Sequence, residues 1–156
     1  MKFEKNLNRV LEVFLIVLMS VLVVDVLWQV ISRYLLSSPS SFTDELAGFL
    51  LIWVGVLGAA YVAGRKEHLA IDILVQRSPP ARQRRLLYLI HSLILLFALS
   101  VMVTGGAVLV YTRFALQVKS AALQLPLGYV YSVLPISGLI IVYYEVLHML
   151  KLKQSS

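Results

Sequence analysis

The sequence predicts an all-α membrane protein with four transmembrane helices and an amphipathic helix at the cytoplasmic interface between the second and third. Three observations predict it. Of the 156 residues 60% are hydrophobic and only 14% charged, more apolar surface than a soluble core of this size can hide. The apolar residues fall into four runs, each long enough to cross a hydrocarbon layer of roughly 30 Å. The one long polar passage inside the chain, RKEHLAIDILVQRSPPARQRR from Arg65 to Arg85, divides those runs into two hairpin-like halves. The whole of 1–156 reads as a single integral membrane domain, with spans at about 8–36, 44–64, 81–114 and 126–150 and the interfacial helix at about 67–77.

The basic residues set the orientation. Lys2, Lys5, Arg9, six residues of the polar link, Lys151 and Lys153 gather on one side, against Arg33, Arg113 and Lys119 on the other. Such an excess belongs in the cytoplasm, which places both termini and the link there. The net charge of +6 sits at the ends of apolar runs, where anionic lipid headgroups account for it, so a bilayer is expected as partner and nucleic acid is not. The absence of cysteine removes disulfides, thiolate nucleophiles and iron–sulfur clusters. The first apolar run is too long for a cleavable signal peptide and lacks a small-residue cleavage site, so it reads as a retained helix.

Helix one carries Asp25, Gln29 and Arg33 at i, i+4 and i+8, a polar stripe on one face. An ionised carboxylate near mid-depth costs at least about 2.5 kcal/mol, so Asp25 should face protein or water. The stripe is either an ion relay or glue against another helix. With no second acid at matching depth, the glue reading is preferred, Arg33 reaching the outer headgroups and Gln29 bridging towards Asp25.

After a Ser- and Pro-rich outer turn, helix two opens with Ser41 or Thr43 as cap and Asp44 and Glu45 in its first turn, where acids favour the positive end of the helix dipole. The pair also offers a docking site for a basic extracytoplasmic partner. Ala47, Gly55, Ala59 and Ala63 form an i+4 ladder, flanked by Gly48, Ala60 and Gly64 on the next, a small-residue face suited to close helix packing in lipid. Trp28 and Trp53 lie too deep for the interfacial belt and are expected to pack against protein.

In the link, Leu69, Ala70, Ile73, Leu74 and Val75 gather opposite Glu67, His68 and Asp72, the pattern of a helix lying in the interface with its apolar side down. The bland alternative is a solvated basic loop. Pro79 and Pro80 end it and open helix three, whose 34 residues would span ~50 Å and so must tilt or protrude. In helix four, Pro135 removes a bond to the Tyr131 carbonyl, so a kink is expected, with Gly128, Ser132, Ser137 and Gly138 permitting close approach. Glu145 and His148 lie near the inner surface and need no functional account on depth alone.

No nucleotide loop, nucleophile–base set or zinc signature is present, so no catalysis is expected. Two competing readings stay open. His68, His91 and His148 all fall towards the cytoplasmic side, which keeps alive a haem-binding membrane anchor, though three interfacial histidines are the commoner explanation. An autonomous four-helix exporter would use Asp25 as its carboxylate, but no internal repeat or pair of broken helices supports a transport site.

Several motifs together resemble the small membrane subunit of tripartite ATP-independent periplasmic (TRAP) transporters, the DctQ-like family. They are Arg33-Tyr34 ending helix one, Asp44-Glu45 followed by Trp53 and Gly58-Ala59, then HLAID with His68 and Asp72, and LPLGYVYSVLP from Leu125 to Pro135. Asp44 stands where the family often has a second glutamate, a conservative change. The resemblance implies a bacterial inner-membrane subunit without catalytic activity or cofactor of its own. It would be paired with a large transport subunit that binds substrate and sodium and moves in an elevator-like way. A soluble periplasmic binding protein would deliver a carboxylate such as a C4-dicarboxylate, keto acid or sialic acid. On that basis Asp25, Gln29, Arg33, Ala47, Trp53, Gly55 and Ala59 are expected to face the large subunit. Asp44 and Glu45 are expected to meet the binding protein, and His68, Leu69, Asp72 and Ile73 to brace the chain along the membrane.

Overall fold

The computed structural model describes residues 2–35, 40–65 and 79–154. Within them the chain forms helices α1 (Lys2–Tyr34), α2 (Ser41–Arg65), α3 (Pro80–Phe97), a π-helical segment (Ala98–Gly105), α4 (Gly106–Ala115), α5 (Leu127–Tyr131) and α6 (Val133–Gln154). Four stretches are long and apolar enough to cross a membrane: α1, α2, the continuous α3–π–α4 rod, and the α5–α6 pair. The chain is a multi-pass membrane protein of all-α class. The amphipathic helix expected at 67–77, with His68, Leu69, Asp72 and Ile73, lies outside the described residues.

α6 is the central element. It packs against α2 on one side and against α3 and the π segment on the other, while α1 lies along α2. Burial follows: 39% of the most apolar window of the last span is covered by the rest of the chain, against 11% for the first. Two small cores result. Leu11, Leu57, Val133 and Tyr144 join α1, α2 and α6; Ala60, Ala63, Ala98 and Ile141 join α2, the π segment and α6. Most remaining large apolar side chains face outward, which suits lipid or a protein partner as solvent.

Glycine sets how closely α6 is approached. A Cβ on Gly106 would stand 2.9 Å from Pro135 Cδ and 3.0 Å from its nitrogen, and one on Gly138 would stand 2.8 Å from Met102 Cβ. The π segment and the start of α4 therefore touch α6 backbone to backbone along this seam. The break in the last span falls at Ser132, one residue past α5, rather than as a kink at Pro135 within one helix. The Ser132 amide donates to the Gly128 and Tyr129 carbonyls, and its hydroxyl donates to the Tyr129 carbonyl at 2.6 Å. With the Ile136 amide donating to the Ser132 carbonyl at 3.3 Å, the polar groups of Ser132 are all bonded locally, as a membrane interior favours.

The π segment was not legible in the sequence. Its register is visible in Thr104, whose hydroxyl donates to the Leu99 carbonyl five residues back at 2.9 Å. Such widened turns recur at functional sites, and here the widening seats the rod against Pro135 and Gly138.

At the end of the bundle where both termini lie, side chains tie α1 to its neighbours. Lys151 donates to both Glu4 carboxylate oxygens at 2.9 Å, Tyr144 donates to Asn8 Oδ1, and Arg65 pairs with Glu12 at 3.5 Å. Tyr144 passes over Gly64, where a Cβ would come within 2.6 Å of the ring.

Candidate functional site

The polar stripe of α1 sits against α2. Asp25 is buried, at 8% exposure, and its Oδ2 has no hydrogen-bond partner among the described residues. Arg33 reaches Asp44 at the start of α2, 3.7 Å away, with both side chains about half exposed, so the pair adds little stability. Gln29 is not hydrogen-bonded to Asp25; its carbonyl instead accepts the hydroxyl of buried Ser32 at 2.9 Å. The α2 cap is Ser40, one residue earlier than Ser41: its carbonyl accepts from the Thr43 hydroxyl at 3.0 Å and from the Asp44 amide at 3.4 Å.

Glu45 holds the loop between α4 and α5. Its Oε1 accepts the Ala121 amide at 2.9 Å, and its Oε2 accepts those of Ala122 and Leu123 at 2.9 and 2.7 Å. The loop is shaped for this. α4 ends in a Schellman turn, with Val118 donating to the Arg113 carbonyl and Gln117 to that of Phe114. This puts Gln117 at φ 49°, a left-handed position glycine would take at less cost. A single antiparallel bridge, Lys119 to Pro126, closes the loop. Three consecutive amides then converge on one carboxylate, as at an anion nest.

The small-residue ladder of α2 divides into two uses. Ala60, Ala63 and Gly64 are buried inside the chain, whereas Gly55 and Ala59 are exposed. Gly55 and Ala59 line an outward-facing groove of about 620 Å³ with Phe97, Val101, Gly105 and Leu109 from the third span. A Cβ at Gly48, Gly55 or Gly58 would meet nothing within 4 Å. Ala47 is partly covered. The Trp53 indole donates to the Val130 carbonyl at 2.9 Å and so ties α2 to α5 just before the Ser132 break. Trp28 stays 53% exposed, so within the chain it does not pack as expected of both tryptophans.

One cluster that depth along the chain did not reveal lies between α3 and α6. Glu145 and His148 are fully buried, at 0% and 1% exposure, a packing that their depth near the helix end does not by itself indicate. His91 Nδ1 lies 2.5 Å from Glu145 Oε2, and the His91 and His148 rings are 5.6 Å apart. The available signal was the spacing Glu145-x-x-His148, which puts both side chains on one helix face.

A family model described as tripartite ATP-independent periplasmic transporters, DctQ component, matches residues 22–154. The chain belongs to the DctQ family. Its relatives include a Haemophilus influenzae protein described as a TRAP transporter small permease, 27% identical over 137 residues, or 86% of this chain and 82% of that one. The sialic acid TRAP transporter small permease SiaQ of Vibrio cholerae is 31% identical over 107 residues, 69% of this chain and 58% of that one. A stretch of the sialic acid TRAP transporter permease SiaT of Haemophilus influenzae is 37% identical over 51 residues, 33% of this chain but 8% of that protein. The DctQ match takes in the polar stripe, the Glu45-held loop, the groove and the His–Glu cluster. In this DctQ chain Leu125–Pro135 is the end of the Glu45-held loop, α5, the Ser132 break and the start of α6.

Proposed function

We propose that this chain is the non-catalytic scaffold subunit of a sodium-coupled TRAP transporter. It braces a large membrane transport subunit during uptake of a carboxylate, such as a C4-dicarboxylate, keto acid or sialic acid, delivered by a periplasmic binding protein. The observation that carries this reading is the outward-facing groove of Gly55 and Ala59, beside an α1 that leaves most of its apolar surface uncovered. In lipid, exposed small residues are where a second helix approaches closely. The names of SiaQ and SiaT, one a small permease and the other a permease, support a large-subunit partner and a carboxylate substrate.

In this reading Gln29, Arg33, Ala47, Gly55 and Ala59 face the large subunit, whereas Asp25, expected there from the sequence, is already buried within this chain against α2 and lies behind that surface. Trp53 contributes by fixing the α2–α5 joint beside that surface. Sodium is bound by the large subunit, and this chain needs no cofactor. Both termini and the 66–78 link are cytoplasmic in the bacterial inner membrane. His68, Leu69, Asp72 and Ile73 lie along the interface, where a broad anchor resists being dragged by a moving partner.

Asp44, together with the loop that Glu45 shapes, is the contact for the binding protein. Unchanged transport and docking after Asp44→Lys with Glu45→Lys would remove that contact. Uptake assays test the function as a whole. Cells with the large subunit and binding protein but without this chain should lose sodium-dependent uptake, and this chain alone in proteoliposomes should move nothing. Uptake by this chain alone would overturn the reading.

A further inference from the structure

We infer that His91, Glu145 and His148 form a binding site for a divalent transition-metal ion, zinc foremost, that clips α3 to α6. One ligand atom from each residue lies within 4.8 Å of the other two. A four-coordinate zinc ion with bonds of about 2.0–2.2 Å holds its ligands roughly 3.3–3.5 Å apart, so modest side-chain rotation closes the set. The second observation is the carboxylate itself. Glu145 is fully buried, and while Oε2 meets His91, Oε1 has no hydrogen-bond partner among the described residues. Burying a carboxylate oxygen without a donor is costly unless a cation or donor meets it.

The donor set selects the ion. Two imidazoles and one carboxylate suit zinc, cobalt or nickel, whereas magnesium and calcium prefer all-oxygen surroundings. Glu145 and His148 come from one face of α6, and His91 closes the triad from α3. His91 keeps 14% of its side chain exposed, which leaves an ion a way in. A fourth position is left for water, as at open zinc sites. The clip would fix the inner ends of the two helices on the side of α6 away from α1, independently of any partner subunit.

The test uses the full chain in detergent or nanodiscs, purified without a histidine tag, stripped with chelator and titrated with cobalt. One equivalent should give the visible ligand-field absorption of a nitrogen- and oxygen-bound tetrahedral ion. Zinc should displace it and raise the melting temperature. Glu145→Gln and His148→Ala should each weaken binding beyond the roughly 10–100-fold that loss of an outer-shell partner costs, while Glu12→Gln, whose carboxylate pairs with Arg65 between α1 and α2, should bind as wild type does. His91→Ala, at the partly exposed edge, supplies a third ligand deletion should a buried variant fail to fold, with helix content by circular dichroism as the check. No cobalt spectrum in the wild type, or one that survives loss of a ligand in a folded variant, would overturn the site.

Discussion

Gly106→Ala is expected to loosen the seam between the π segment and α6. The added Cβ would lie 2.9 Å from Pro135 Cδ, 3.0 Å from Pro135 N and 3.1 Å from Leu134 Cβ. Ordinary carbon contacts sit at about 3.5–4.0 Å, so α6 must retreat by roughly half an ångström or more. A proline ring and backbone cannot rotate away as a flexible side chain can. Overpacking of this kind costs about 1–3 kcal/mol, a substantial part of the stability of a chain with two small cores. Gly138→Ala pushes on the same seam, meeting Met102 Cβ at 2.8 Å and the Val103 nitrogen at 3.1 Å. Once α6 has moved for one substitution the other costs less, so the double variant should fall short of the sum. Gly55→Ala is the control. Its Cβ meets nothing within 4 Å, and alanine gains up to about 1 kcal/mol of helix propensity, so the isolated chain should be unchanged or stabilised. Unfolding in one detergent, followed by tryptophan fluorescence, reads all four variants against wild type. Wild-type stability for Gly106→Ala, or equal losses for Gly106→Ala and Gly55→Ala, would refute the seam.

Trp53→Phe keeps the ring but removes the donor to the Val130 carbonyl, and should cost about 1 kcal/mol in the same unfolding assay; no change would mean the bond does not hold α5. Glu45→Gln should free the loop between α4 and α5, read as faster hydrogen exchange at the amides of Ala121, Ala122 and Leu123 with exchange in α6 unaltered. Equal protection in variant and wild type would show that the loop holds itself. Cysteines at Leu69 and Ile73 should resist water-soluble maleimides in the assembled complex, whereas full aqueous labelling would rule out the interfacial brace.

Hydropathy made the four spans legible, because lipid as solvent leaves long uninterrupted apolar runs that few other folds require. It said less about faces. Glu145 and His148 were judged by distance from the helix end, but burial depends on which side of α6 they occupy, and that side faces α3. The alanine and glycine ladder of α2 read as one surface, yet α6 curls beneath Ala60, Ala63 and Gly64 and leaves Gly55 and Ala59 open. Pro135 announced a disturbance, but the chain turns at Ser132, where a hydroxyl can satisfy a local carbonyl. The Ala98–Gly105 stretch has the composition of any membrane helix, and only the neighbouring Gly105-Gly106 pair hinted at a close approach. The bond of Glu45 to amides 76 to 78 residues away has no local signal at all.

Co-purification tests the scaffold role most directly. A tagged copy of this chain, expressed with its large subunit and solubilised gently, should bring that subunit down in fixed proportion, and Gly55→Leu with Ala59→Leu should release it while leaving this chain folded. A chain that purifies alone, or a large subunit held equally well by the leucine variant, would contradict the account.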